Sequence, residues 1–236
     1  MLFQSPRAAP VASPSNSSSV LGPPLSIGND AAIIVQGMHF TNSVSGLIYI
    51  FFIFHLSVLL QIQTMLQLTK DINKYSRNKE DGDCYKFEDV LANAFNEFDD
   101  VDAHSIGGAG NTDIECMYLT IDEKFAIEAK STQTKLGGIN AGRLQLHRNK
   151  INAKYTIIVA PYYKPSVEMD IANTLNVMIT ASSLSNFLYQ YSVHSKDNSI
   201  SYKPLYDIVQ TSLGTNITSK VNDYVCRNFG IGRVCS

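Results

Sequence analysis

GGAGNTDIECMYLTIDEKFAIEAKS, running from Gly107 to Ser131, is the stretch that decides how the rest of the chain is arranged. Thr112 to Leu119 alternates and has glycines just upstream, which is a strand signal. Ile121-Asp122-Glu123-Lys124 is polar enough to turn. Phe125-Ala126-Ile127 then opens a second strand that closes on Glu128-Ala129-Lys130. Residues two apart on a strand face the same side, so Glu128 and Lys130 point one way and Ala129 the other. Antiparallel pairing brings Asp113 beside Glu128. Two carboxylates and an ammonium then converge on one patch of a β-hairpin.

That grouping suits metal-assisted phosphodiester hydrolysis. Mg²⁺ takes oxygen ligands and usually only one or two carboxylates, keeping waters and substrate phosphate for its other positions. Asp113 and Glu128 are the expected metal-holding acids, and the carbonyl of Ala129 is a third oxygen. Lys130 is placed to orient the attacking water and to offset charge developing on the phosphate. The same residues on a solvated strand face are ordinary surface charge. Phe125, Ala126, Ile127 and Ala129 are apolar, however, so the acid and the lysine close a strand that reads as buried, where charges need partners or a metal.

Asp113 followed by Glu128-x-Lys130 across a hairpin resembles the PD-(D/E)xK nuclease signature, as does the glycine-rich lead-in Gly107-Gly108-Ala109-Gly110. Thr112 stands where that signature has a proline. Tyr85 to Phe98, YKFEDVLANAFNEF, reads as an amphipathic helix with Phe87, Val90, Leu91, Ala94, Phe95 and Phe98 on one side. Phe87-Glu88 resembles the helical Phe-Glu start of that superfamily, which implies Glu88 as an auxiliary metal ligand. The alternative for Glu88 is a carboxylate favoured by the helix N-terminus. Asp99, Asp100 and Asp102 read as a solvated connection.

Beyond the hairpin, Ser131 to Gly138 reads as a loop with hydroxyl and amide donors suited to phosphate or base-edge contact. Ile139 to Lys154 reads as a helix with Leu144, Leu146 and Ile151 inward. Arg143 and His147 share a face at i,i+4, and Lys150 and Lys154 form a similar pair. Gln133, Lys135, Arg143, His147 and Lys150 are the candidate nucleic-acid contacts, with His147 given no catalytic role. Tyr155 to Ala160 reads as a buried central strand, Ser166 to Ala172 as a short helix, Leu175 to Thr180 as another strand, and Ala181 to Tyr191 as a helix. From Lys203 the chain reads as helical. The predicted fold is α/β, a central mixed β-sheet flanked by helices, preceded by an irregular N-terminal region and an apolar helix.

INAGRLQLHRNKINAKYTIIVAP followed by LNVMITASSLSNFL is similar to the cleavage domains of type IIS restriction endonucleases of the FokI kind. The resemblance covers about Phe87 to Leu188. It implies a restriction-endonuclease-like fold, Mg²⁺ as cofactor with Mn²⁺ able to substitute, double-stranded DNA as partner, and action in pairs. Such enzymes carry a separate recognition domain, and no obvious one precedes Tyr85. The chain is therefore expected to cut as a homodimer on DNA or beside a separate recognition subunit.

Charge distribution agrees with this expectation. The net charge is only −2. From Asp81 to Glu128 acids dominate, whereas Lys130 to Lys164 holds seven basic residues and no acid. An acidic pocket followed by a basic surface is the polarity a nuclease needs, though a solvated basic helix face has the same composition. Cys84, Cys116, Cys226 and Cys235 form no CxxC pair and lie near no histidine at zinc spacing. Reduced thiols and a cytoplasmic setting are expected.

At 236 residues the chain fits one domain with an appendage. Residues 1–30 are rich in Ser, Pro and Ala and read as a disordered or irregular lead. Residues 31–80 form an apolar helical segment and linker, and 81–236 the nuclease-like domain. Within the second part, Leu47 to Leu60, LIYIFFIFHLSVLL, carries no acid, lysine or arginine. A transmembrane helix needs about 20 predominantly apolar residues, and the dense run is shorter, so a buried helix or apolar contact is preferred to a span. His55 is then a packed core histidine. The functional expectation is a Mg²⁺-dependent DNA endonuclease in a restriction-modification setting, whole or as a cleavage subunit. The alternatives are a membrane-anchored or assembly-forming nucleic-acid binder with an inactive nuclease-like domain, and a structural α/β domain.

Overall fold

The structure, a computed structural model, describes residues 44–108, 110–195 and 199–230, without the side chains of residues 44–50 and 54. The expected irregular lead at residues 1–30, and Cys235, lie outside the described residues. The chain divides into two compact units, Met1–Ile50 and Phe51–Ser236. The sheet belongs to the second. Its five strands run in the order β1 (Val101–Ser105), β2 (Ile114–Tyr118), β3 (Glu123–Ala129), β4 (Thr156–Ala160) and β5 (Asn176–Thr180). The first three form an antiparallel meander, and β3, β4 and β5 are parallel. The sheet is mixed, as predicted.

The β2–β3 hairpin sits in the expected register, with Ile114 opposite Ile127 and Tyr118 opposite Glu123. Its turn lies two residues earlier than the polarity of Ile121 to Lys124 suggests. Asp122 takes the left-handed conformation, φ 54°, which a short polar side chain tolerates, and the strand resumes at Glu123.

Strand β1 was not legible as a strand. Asp102 lies within it, while Asp99 and Asp100 are anchors rather than a solvated connection. The Asp99 carboxylate accepts from Ser199 Oγ and the Ile200 amide, and that of Asp100 from Ser201 Oγ and the Tyr202 amide. These bonds tie the entry to β1 to a segment a hundred residues further along the chain.

Alternation on β4 and β5 divides the interior. Ile157, Val159, Val177 and Ile179 face the larger core with helices α2 (Asp83–Phe95), α5 (Ala181–His194), α6 (Lys203–Gln210) and α7 (Thr218–Phe229). Ile158 and Met178 face the other side with Leu144 of α3 (Ala141–Lys150) and Val167 and Ile171 of α4 (Ser166–Ile171). Strands covered on both faces read as continuous apolar runs, which is why YTIIVA was recognisable. In the larger core Phe125 stacks between Tyr155 and Tyr202, at centroid distances of 5.3 and 4.9 Å, and the two tyrosine hydroxyls are 3.0 Å apart.

Helix α1 (Val44–Tyr75) corrects the preferred placement of the apolar run. Phe51, Phe52, Leu56, Leu59 and Leu60 are exposed, not buried. Met65, Leu68, Ile72 and Tyr75, spaced to share one helix face, are the residues that reach the core. His55 is exposed as well, its Nδ1 donating to the Phe51 carbonyl. The part of the helix from Phe51 to Tyr75 is long and apolar enough to cross a membrane by length and composition.

Helix α3 also differs from expectation. Asn140 caps it, its Oδ1 accepting from the Arg143 amide at 2.9 Å. Leu144, His147 and Arg148 are buried, while Leu146 is exposed rather than inward. Leu146 is two residues from Leu144, which turns it to the far side of the helix.

Candidate active site

The hairpin's open end gathers the predicted residues. Thr112 is buried and donates its hydroxyl to the Ile127 carbonyl at 3.1 Å, pinning the chain just before the acid. Asp113 Oδ2 accepts from the Ala129 amide at 2.7 Å. Asp113 and Glu128 therefore meet across the hairpin as the alternation required.

Glu128 is 2 % exposed. Its Oε1 is shared by Lys130 Nζ at 2.5 Å and Arg143 Nη2 at 3.3 Å. Its Oε2 is buried and has no hydrogen-bond partner among the described residues. A buried carboxylate oxygen without a donor is costly. An oxygen-seeking cation satisfies it, and Asp113 supplies a second carboxylate beside it.

Electrostatics describe the same pocket. Burial, then the Glu128 charge, holds the Asp113 carboxyl up at about 6, against the pull of Lys130. Glu88 is held up at about 7, by burial first and Asp113 second. Glu88 is the sixth residue of α2, which begins at Asp83. It lies past the first turn, and the charges it responds to include Asp113, Lys130 and Glu128. Among the described residues no three His, Cys, Asp or Glu side chains are gathered closely enough to hold a metal ion. The candidate donor set is two carboxylates, with the Ala129 carbonyl on the same strand end, and Mg²⁺ that keeps its waters usually takes only one or two carboxylates.

The candidate nucleic-acid residues divide. Gln133 is exposed, and its amide donates to the Asn78 carbonyl at 2.8 Å. Lys135 is exposed. Arg143 is committed to Glu128, a role the spacing of basic residues did not announce. Lys150 Nζ donates to the Gly110 carbonyl, joining the end of α3 to the glycine loop ahead of Asp113. His147 is 8 % exposed, its Nδ1 lacks a partner among the described residues, and burial lowers its pKa. It is packed against the sheet rather than displayed.

No protein-family model matches the sequence. The chain is 46 % identical over 166 residues to the type II restriction enzyme HgaI of Avibacterium volantium, a match covering 70 % of this chain and 34 % of that protein. Among solved structures, restriction endonuclease FokI is similar at 11 % identity and a TM-score of 0.48, over 62 % of this chain and 30 % of that one. Its DNA-bound form is similar at 11 % identity and 0.49, over 66 % and 33 %. Over its matched 166 residues the chain is related to a type II restriction enzyme, and it spans about a third of that relative's length.

Proposed function

We propose that this chain is the cleavage part of a type II restriction endonuclease, hydrolysing phosphodiester bonds of double-stranded DNA with Mg²⁺, or Mn²⁺ in its place. The observation that carries this is the convergence of Asp113, Glu128 and Lys130 at the hairpin end, with one buried Glu128 oxygen left unpartnered. The restriction enzyme similar at 46 % identity supports it.

Asp113 and Glu128 hold the cation, with the Ala129 carbonyl as a third oxygen and Glu88 as an auxiliary carboxylate. When bound, the cation supplies Lewis-acid stabilisation of phosphate charge and lowers the pKa of water. Lys130 does two things. It fixes Glu128 through Oε1, and its ammonium stands where negative charge develops on the phosphate. Arg143, now on Glu128, is exposed enough to turn to a phosphate oxygen, and Gln133, Lys135 and Lys150 extend the contact surface. His147, buried, orients α3 rather than touching DNA. The described cysteines are free, in keeping with an intracellular setting.

The test is plasmid cleavage. Ala at Asp113, Glu128 or Lys130 is expected to lower the rate by more than about 100-fold while DNA binding and the folded circular-dichroism spectrum persist. Ca²⁺ is expected to support binding without cleavage, because it tolerates looser geometry and activates water less. An Asp113→Ala protein that cuts at the parent rate overturns the proposal.

A further inference from the structure

Arg148 is a cation buried without a counter-charge. It is 4 % exposed, yet among the described residues it makes no ion pair. Nη1 donates to Asn176 Oδ1 at 3.1 Å, and no other described acceptor takes its remaining N–H groups. That one bond is itself held in place. Asn176 is fully buried, its Nδ2 donates to Thr174 Oγ1 at 2.9 Å, and the Thr174 hydroxyl donates to the Ile171 carbonyl at 2.6 Å. A guanidinium has only donors, so this chain of bonds fixes which way the Asn176 amide faces and which edge of Arg148 is left over.

Arg148 lines a cavity of about 280 Å³ together with Gln145, Asn173, Thr174 and the first residues of α3, Ala141 and Gly142. The amides of a helix's first turn have no acceptor within the helix, and the dipole there favours negative charge. No acid lines the cavity. The buried Arg148, the residues Ala141 and Gly142, whose amides are left over once Asn140 has taken that of Arg143, and amide or hydroxyl side chains therefore line one space that holds no acid of the protein. Burial works against the charged form of Arg148, but a guanidinium stays protonated at any ordinary pH, and its remaining N–H groups, none of them sealed from solvent, are open to an acceptor from solution.

We propose that this cavity is a binding subsite for a phosphate-type oxyanion, held by Arg148 and the first-turn amides of α3. It is separate from the carboxylate pocket. Asn176 and Thr156, its partner on β4, lie at the strand ends opposite Glu128 and Val159. The anion is either free phosphate or a phosphodiester of the DNA backbone, which present the same oxygens.

The probe is inorganic phosphate added to the full chain in chelator, with chloride at matched ionic strength as control. The melting temperature is expected to rise saturably, by roughly 3 °C at a hundredfold excess over the dissociation constant. Arg148→Gln and Asn176→Asp are expected to abolish that rise. The second variant keeps the fold and supplies Arg148 with a carboxylate, so the experiment survives if the first fails to fold. Asp113→Ala is expected to keep the rise, which separates this site from the proposed catalytic one. A duplex-binding series then distinguishes the source. If the slope of log affinity against log salt falls by about one in Asn176→Asp, the occupant is a backbone phosphate. If the slope is unchanged while the parent's phosphate response persists, it is free phosphate. No saturable rise in the parent, or an equal rise in both variants, overturns the proposal.

Discussion

Asp113 is a residue whose environment is at odds with its charge. Its carboxyl is held up at about 6, above the ordinary 3.8. A raised folded-state pKa means that its contribution to stability is fully present below about 4 and is lost as the pH rises through about 6. Asp113→Asn removes that titration, and an amide oxygen can still accept from the Ala129 N–H. In chelator, the Asn variant is therefore expected to melt above the parent at pH 8, by on the order of 1–3 kcal/mol, and to show a much smaller advantage at pH 4. A variant destabilised equally at both pH values would show that Asp113 is paired better than its surroundings suggest. At the same scale, Arg143 and Lys150 are cations held by a carboxylate and a carbonyl, and the proposed function has them turn to phosphate when DNA is bound. Neutralising both is expected to flatten the slope of log affinity against log salt by roughly one to two units, measured on unrelated duplexes. An unchanged slope assigns them to holding Glu128 and the glycine loop alone.

At the scale of elements, α1 carries two different surfaces on one helix. Phe51, Phe52, Leu56, Leu59 and Leu60 are apolar and exposed, whereas Met65 and Ile72 are fully buried. Hydrophobicity alone ranks the first stretch above the second, but stability follows burial. Leu56→Gln with Leu59→Gln is expected to change unfolding free energy by less than about 0.5 kcal/mol. Ile72→Ala is expected to cost about 2–4 kcal/mol through lost contact and the cavity left behind. Chemical denaturation of both proteins is the measurement. A large loss from the leucine pair would place that stretch in an interface the isolated fold already depends on. The C-terminal end of α1 also holds the loop after Lys130, since the Thr132 amide donates to the Ser76 carbonyl at 2.9 Å and Gln133 to Asn78. The helix thus supports the candidate site from outside the hairpin.

For the whole molecule, one hairpin offers one candidate site, and under the proposed function one such site cuts one strand at a time. Severing a duplex then needs two copies facing opposite strands or a partner subunit, and two-fold pairing is the commonest arrangement of soluble oligomers. Double-strand cleavage is expected to rise faster than linearly with protein concentration, with nicked circles accumulating before linear DNA. Linear scaling without a nicked intermediate, from a species monomeric by sedimentation, would contradict this.

Local chemistry was enough to determine the hairpin and to bring Asp113, Glu128 and Lys130 together at its open end. Period-two alternation and a short turn leave one register, and that register alone puts Asp113 beside Glu128 and Lys130 on the same face. The same holds for α2, whose apolar spacing is periodic, and for β4, whose two-sided burial shows as an unbroken apolar run. What depends on residues far apart in sequence was decided only by the tertiary structure. Strand β1 exists because Asp99 and Asp100 are gripped by residues 199–202. Arg143 is an ion-pair partner and His147 a packing residue because α3 lies against the sheet at one particular rotation. Phe51, Phe52, Leu56, Leu59 and Leu60 of α1 are exposed because, among the described residues, the core meets that helix only from Met65 onward. The charge of Arg148 is stranded because Asn176, brought beside it by a parallel strand, offers an amide where a carboxylate would have neutralised it. Spacing along the chain carries none of these, since each is a contact between elements whose approach is set by packing rather than by period.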